Sequence, residues 1–422
     1  MKKLCCTIVT TAALMGGGGI ANAQHADHAG RSNTDTARPA QCLLPDAQPS
    51  LLCAEVPTST FDAQGHLWVA WTQGEHVYVA KSNDGGVSIS SSARVTVTPL
   101  PVEKNGENRP KVAAAPNGDL YVSFIAKGER KFTGVVYFSR SLDGGKTFSA
   151  PIPVSDEAVS SSQRFEALKV GQDGRIFMAW LDKRDLFTAQ KTKTPYRGSA
   201  MYFAISDDRG ASFHANVNGA DHSCECCRVA MDIGPDDRPV IVWRHVFEPS
   251  IRDHAVMKLN ADGSPGKVVR LSEDQWDLEG CPHHGPWISI SESGVQHVTW
   301  FTDGKARQGI FYARSEDGGQ TFSAPMTFGN ADQQAGHPSV LAVGKRVFLT
   351  WKEFSGKHDE LYVMTSPDGG RSWSSPLRVA ATQDSSDHPF LLTDGQWLYA
   401  SWATEIEGLR LFKVAPLGEG AR

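Results

Sequence analysis

The segment Asp221–Arg228 reads DHSCECCR, and Gly280–Pro286 reads GCPHHGP. Thiolates and imidazoles hold soft and borderline transition metals, and paired thiols make disulfides, so these two stretches admit more than one chemistry. In an extended segment Cys224 and Cys226 project to one side and Cys227 to the other, so the three do not share one simple role. A disulfide from Cys281 to one of them would tie the two stretches together and leave two thiols over. Those two could bridge each other only with strain, being adjacent or one residue apart. A metal site would instead combine some of the thiolates with His222, His283 or His284. That donor set suits copper or zinc and not calcium, which asks for a dense cage of oxygens. Redox chemistry of the thiols is the third reading.

The bulk properties narrow the setting. Lys2 and Lys3, an apolar run from Leu4 to Ile20 and the small-residue pattern Ala21-Asn22-Ala23 read as a secretory signal peptide, residues 1–23, cut before Gln24. Cys5 and Cys6 leave with it, and a periplasmic or secreted location is expected. The following segment, 24–41, reads as a flexible tail whose QHADHAG start offers copper a free amine and imidazoles. No later stretch reaches the roughly 18 apolar residues of a membrane span. Six cysteines remain, an even number that in an oxidising compartment favours disulfides, and a Cys42–Cys53 pair is expected. The net charge of -5 carries no basic excess, which excludes a nucleic-acid partner of the usual kind. A monomer is expected.

Residues 42–418 are organised by repetition. Five segments follow one pattern: SNDGGVSI from Ser82, SLDGGKTF from Ser141, SDDRGASF from Ser206, SEDGGQTF from Ser315 and SPDGGRSW from Ser366. Each is a tight turn in which the Asp carboxylate accepts backbone N–H bonds, the glycines supply positive φ and the last apolar or aromatic residue packs the turn down. A degenerate version, LNADGS, runs from Leu259 to Ser264. Apolar strands ending in an aromatic recur at Trp71, Phe124, Trp180, Trp243, Trp300, Trp351 and Trp402, at intervals of 51 to 63 residues. Seven such units predict an all-β fold, a single propeller of four-stranded antiparallel blades with seven blades favoured over six. The seventh unit ends without a turn motif, so an N-terminal strand within Cys42–Leu52 is expected to close the ring, stapled by Cys42–Cys53.

The turn motif resembles the Asp-box, or BNR repeat, of the sialidase-like β-propellers, and with its flanking strands the resemblance covers nearly all of the mature chain. In a propeller the turns lie on one face, and the starts of the innermost strands lie on the other, at the axis. Counting back from each aromatic places Glu55, Arg109, Arg164, Arg228, His284, His337 and His388 at those starts. Loops on the same face of the third and fourth units carry Asp182, Arg184, Asp185, Tyr196, Arg244, His245, Glu248, Arg252, Asp253 and His254.

The resemblance implies one enzyme, an exo-α-sialidase, a glycoside hydrolase with an arginine triad for the substrate carboxylate, a Tyr nucleophile activated by Glu, and an Asp acid. Arg109, Arg164 and Arg228 would form the triad, Tyr196 the nucleophile, Glu248 or Glu166 its activator, and Asp182 or Asp185 the acid. The family's F-R-I-P motif is replaced by NRPK at Asn108–Lys111, and the seven other tyrosines fall in strands. The other reading is a non-hydrolytic propeller that binds a transition metal, copper before zinc, through Cys224, Cys226, Cys227, Cys281, His222, His283, His284, His337 and His388. The ligand is then a metal ion in one case and an anionic sugar in the other.

Overall fold

The computed structural model describes residues 38–44, 47–157 and 162–418. The leader and the histidine-bearing tail through Ala37 lie outside the described residues. The chain forms seven antiparallel sheets, each built in simple sequence order from a strand near the axis outward. The innermost strands are Glu55–Phe61, Lys111–Ala114, Gln163–Val170, Ala230–Ile233, Trp287–Ile290, Gly336–Val343 and Phe390–Thr393. Each packs against the next and the last returns to the first, which closes a propeller of seven blades.

The second strand of each blade is pressed between its own neighbours and the sheets on either side. Leu67–Gln73, Ile176–Asp182 and Pro239–Arg244 are buried at every position, the pattern of strands covered on both faces. All seven repeat aromatics lie in these strands at no more than 1% exposure. Truncating any one would cost about 3–5 kcal/mol, so the repeat is first a core motif. Several indole N–H groups, unable to reach water, are capped by an acid: Trp180 by Asp182 at 3.0 Å, Trp300 by Asp274 at 2.8 Å and Trp351 by Glu353 at 2.7 Å.

The Asp-box turns are self-contained. Asp143 accepts the Thr147 amide and hydroxyl while Ser141 donates to it and accepts from Gly145 N. Gly145 has φ +79°, and a Cβ there would meet the Trp68 ring of the preceding blade at 2.5 Å. The degenerate turn keeps the device through Asp262 and Ser264.

Closure differs from the expected form. Among the described residues six sheets have four strands and the seventh has three, Phe390–Thr393, Trp397–Thr404 and Gly408–Pro416. The described part of Cys42–Leu52 begins in a short 3-10 turn, Ala40–Leu43, and continues irregularly. A backbone bond from Leu409 N to Leu51 O, at 3.0 Å, joins it to the seventh blade. Pro49 lacks the N–H that a ladder needs, and the Cys42–Cys53 disulfide folds the segment back on itself. Gln73 holds it instead, donating to Ala47 O and Gln48 O and accepting from Ser50 N, and Leu51 packs with Trp71 and Phe390. The loop after Asp182 also differs from a plain charged loop. It carries an α-helix, Arg184–Thr192, whose Arg184 amide is held by the Asp182 carboxylate.

Candidate functional site

The lead-in to the fourth blade places three sulfurs together. Cys224 N donates to Arg244 O at the end of that blade's second strand, and Val229 N donates to Phe165 O in the third blade, so both ends of the Cys224–Arg228 turn are pinned. Cys224, Cys226 and Cys227 are buried, at no more than 3% exposure, and each offers a sulfur within 4.8 Å of the others. Cys224 Sγ and Cys226 Sγ are 3.6 Å apart. Cys281, half-buried in the lead-in to the fifth blade, packs against the same cluster and interacts with Cys226.

The electrostatics favour a thiolate. Hydrogen bonds from Cys226 and Cys227, reinforced by the Arg252 and Arg244 charges, hold Cys224 well below the usual thiol range against the opposing effect of burial. Arg252 Nη1 lies 3.2 Å from Cys224 Sγ and its Nε binds Leu278 O at 2.6 Å, so the guanidinium is fixed between the two blade lead-ins. Cys226, as the donor, is raised, and burial pushes Cys227 up to about 12. Cys281 is lowered by Cys226, whose one proton can serve only one of its three sulfur neighbours at a time.

The histidines do not join the sulfurs. His222 accepts from Arg197 N at 3.2 Å and lies against the Tyr196 ring, and His283 is exposed. His284, His337 and His388 instead form a stack at the axis, with ring centroids 4.4 Å and 3.5 Å apart. His337 and His388 share a second group of potential ligands with Glu107. Thus the expected Cys/His cluster is two clusters, one of sulfur and one of imidazole with a carboxylate. The cause is topological: the cysteines sit between the third and fourth blades, whereas the strand starts converge on the axis.

All seven strand-start residues named from the sequence lie within three positions of an observed innermost strand's first residue. The arginines among them are already paired. Arg109 binds Asp387 at 2.5 Å, Arg164 binds Glu103 at 2.9 Å and Arg228 binds Glu107 at 2.7 Å. Glu55 bridges Arg38 and Lys104, both at 2.6 Å. Beside them Lys111 lies 3.4 Å from Glu166; burial lowers the lysine and raises the carboxyl.

The remaining glycosidase candidates are also engaged. Tyr196 donates to Asp221 at 2.8 Å, and burial with that carboxylate raises its phenol far above the ordinary range. Glu248 is exposed and forms a bidentate pair with Arg197. Asp182, fully buried, is bound by Trp180 and Arg184, and Asp185 accepts from Tyr202. Among the other loop residues, Asp253 caps the amides of Asp274, Gln275 and Trp276, Arg244 spans to His284 O and Phe301 O, and His254 is wholly buried. Burial holds His245 down at about 4.

Three carboxylates escaped the sequence reading, Glu103, Glu107 and Asp387. Their signal was position: Glu107 and Asp387 fall just before residues at strand starts, and each neutralises an arginine brought from another blade.

No family model matches the chain, and no curated protein matches it. Solved structures do. A protein of unknown function from Dyadobacter fermentans matches with a TM-score of 0.53 at 15% identity, over 76% of this chain and 97% of that one. An ulvan lyase of polysaccharide lyase family PL25, bound to -[GlcA(1-4)Rha3S]-, gives 0.53 at 11% identity over 86% and 94%. The Hadza microbial sialidase Hz136 gives 0.50 at 13% identity over 83% and 73%. At these identities the likeness is one of fold: the chain has the β-propeller architecture found in sialidases and polysaccharide lyases.

Proposed function

We propose that this chain is an exported, sialidase-like propeller that binds a thiophilic transition metal, copper(I) before zinc, through Cys224, Cys226 and Cys227, with Cys281 as a peripheral sulfur. The observation that carries the reading is the sulfur geometry. Metal–sulfur bonds of about 2.3 Å set sulfurs about 3.8–4.0 Å apart in tetrahedral or trigonal arrays. A disulfide would bring them to about 2.0 Å. The 3.6 Å between Cys224 and Cys226 is that of a thiol–thiol hydrogen bond, not of a disulfide, and with all three sulfurs within 4.8 Å of one another it lies a few tenths of an ångström from the metal-bound spacing. Soft ligands select copper(I) or zinc, and a Cys224 thiol held below its ordinary range beside a fixed guanidinium gives up its proton to a metal more readily.

When bound, the metal would be held as a closed structural or carrier centre. The chain's own part is to bury the sulfurs, orient them from a turn pinned at both ends and balance their charge with Arg252 and Arg244. A glycosidase reading finds less support, because the three arginines face internal carboxylates and Tyr196 is bound by Asp221, which opposes its ionisation. The test is anaerobic copper(I) titration of metal-free protein against a competing chelator, beside a fluorogenic sialoside assay. Stoichiometric copper lost in Cys226→Ser and Cys227→Ser supports the proposal. Sialoside turnover abolished by Tyr196→Phe, or copper binding indifferent to the cysteines, rejects it.

A further inference from the structure

At the axis, Glu107, His337 and His388 arrive from the second, sixth and seventh blades and place one ligand atom each within 4.8 Å of the others. Glu107 and His337 are at most 3% exposed, and the His388 side chain is 14% exposed. Glu107 Oε1 lies 3.6 Å from His388 Nδ1. Metal bonds of about 2.1 Å to nitrogen and oxygen set neighbouring ligand atoms about 3.0–3.5 Å apart, so the Glu107–His388 pair is within a few tenths of an ångström of a bound arrangement, and His337 has to close in from within 4.8 Å.

The carboxylate is oriented for the task. Its Oε2 accepts the amides of Arg228 and Gly285, at 2.7 and 3.1 Å, while Oε1 accepts from Arg228 Nη1 at 2.7 Å, and that same nitrogen lies 3.4 Å from His388 Nδ1, so an incoming ion must bind on the side of the Glu107–His388 pair away from the guanidinium. A carboxylate has about four lone-pair sites, and the one left over belongs to the oxygen beside the imidazoles. The loop carrying Glu107 lies tightly over His388. A Cβ on Gly106 would stand 2.4 Å from His388 Cε1 and 2.5 Å from Nε2, so the backbone approach requires glycine. His337 sits at φ +52°, a strained conformation for a non-glycine residue, at a bulge that turns the innermost strand out of register.

From this geometry we infer that Glu107, His337 and His388 form a second metal site, separate from the sulfur cluster, for a divalent first-row cation. Two imidazoles and one carboxylate leave coordination positions open to water or an exogenous ligand, unlike the closed thiolate site, and suit Zn²⁺, Fe²⁺ or Cu²⁺ over copper(I). The His337 and His388 rings stand nearly parallel, with centroids 3.5 Å apart, so both can ligate one ion only if one of them leaves the stack, and with Gly106 packed on His388 the ring to move is His337. Arg228 and Gly285 N act as the supporting donors that fix the carboxylate.

The test uses Co²⁺ as the probe on the full metal-free chain, read by its absorption and by equilibrium stoichiometry. With Cys224, Cys226 and Cys227 replaced by Ser, one Co²⁺ per chain should remain, showing ligand-field bands without sulfur-to-cobalt charge transfer. His388→Ala should weaken that binding by more than about 100-fold, and Gly106→Ala, which keeps every ligand residue but displaces the His388 ring, by about 10–100-fold. Failure of the Ser-substituted chain to bind Co²⁺, or binding unaffected by His388→Ala, overturns the inference. Should the Ser-substituted chain not fold, His388→Ala in the intact protein must lower the stoichiometry by one ion, and an unchanged stoichiometry is again fatal. Loss of the sulfur bands alone would speak against the thiolate site and leave this one standing.

Discussion

Replacing Arg252 with Gln should raise the pKa of the Cys224 thiol while leaving the fold in place. The guanidinium stands 3.2 Å from the sulfur, at the edge of the cavity that holds the three thiols. Coulomb attraction across that distance is about 1 kcal/mol at the dielectric constant of water and about 5 kcal/mol at an effective value near 20. Hydrogen bonds to charged groups contribute about 1.5–3 kcal/mol net, inside that bracket. At about 1.4 kcal/mol per pKa unit, the thiol should move up by about one to two units. The carboxamide introduced by Arg252→Gln can still donate to Leu278 O, so the bridge between the two blade lead-ins survives, whereas Arg252→Lys keeps the charge and should move the thiol less. The assay is a pH titration of far-ultraviolet thiolate absorbance on metal-free protein, with Cys224→Ser as the blank. Cys226 and Cys227 also donate to Cys224, so some depression persists in Arg252→Gln. An unmoved first inflection would refute the claim that the arginine holds the Cys224 thiol below its ordinary range.

Three further outcomes are expected. Iodoacetamide at neutral pH should label Cys281 first, because it is half-buried with a lowered pKa, while the three fully buried sulfurs react only on unfolding; peptide mapping after brief labelling reads the order. Removing the Cys42–Cys53 bridge, whose sequence separation is 11, frees a loop worth about 3 kcal/mol of denatured-state entropy, and the loss should be visible in urea unfolding monitored by tryptophan fluorescence. Asp84 is held down to about 2 by the Ser88 hydroxyl, the Ser88 amide and the Ser82 hydroxyl. A depressed carboxylate stabilises above its unfolded value near 3.8 and loses that contribution as pH falls toward 2, so Asp84→Asn should show a flatter acid decline in thermal midpoint than the parent chain.

The propeller was legible because its signals are local and repeated. The aromatic at the end of each second strand and the Ser-x-Asp turn are both dictated by packing within one blade, so counting them counts blades. The strand starts followed from the same count, which is why Arg109, Arg228, His337 and His388 were located at the axis before their partners were known. What sequence could not supply was pairing between blades. Arg228 meets Glu107 across 121 positions of chain, and Arg109 meets Asp387 across 278. Neither partner lies in a repeated motif. Proximity of DHSCECCR to CPHH in the ring suggested one mixed site, but a turn at a blade junction and a strand start at the axis point to different places. The N-terminal segment does meet the seventh blade as the closing element, but among the described residues it does so through the Leu409 N to Leu51 O bond and not through a ladder.

Copper X-ray absorption on the loaded, anaerobic protein addresses the sulfur cluster itself. The account requires a shell of three sulfurs at about 2.3 Å that disappears when Cys226 and Cys227 are replaced. A shell of nitrogen and oxygen alone, or copper that binds equally well without those thiols, would contradict it.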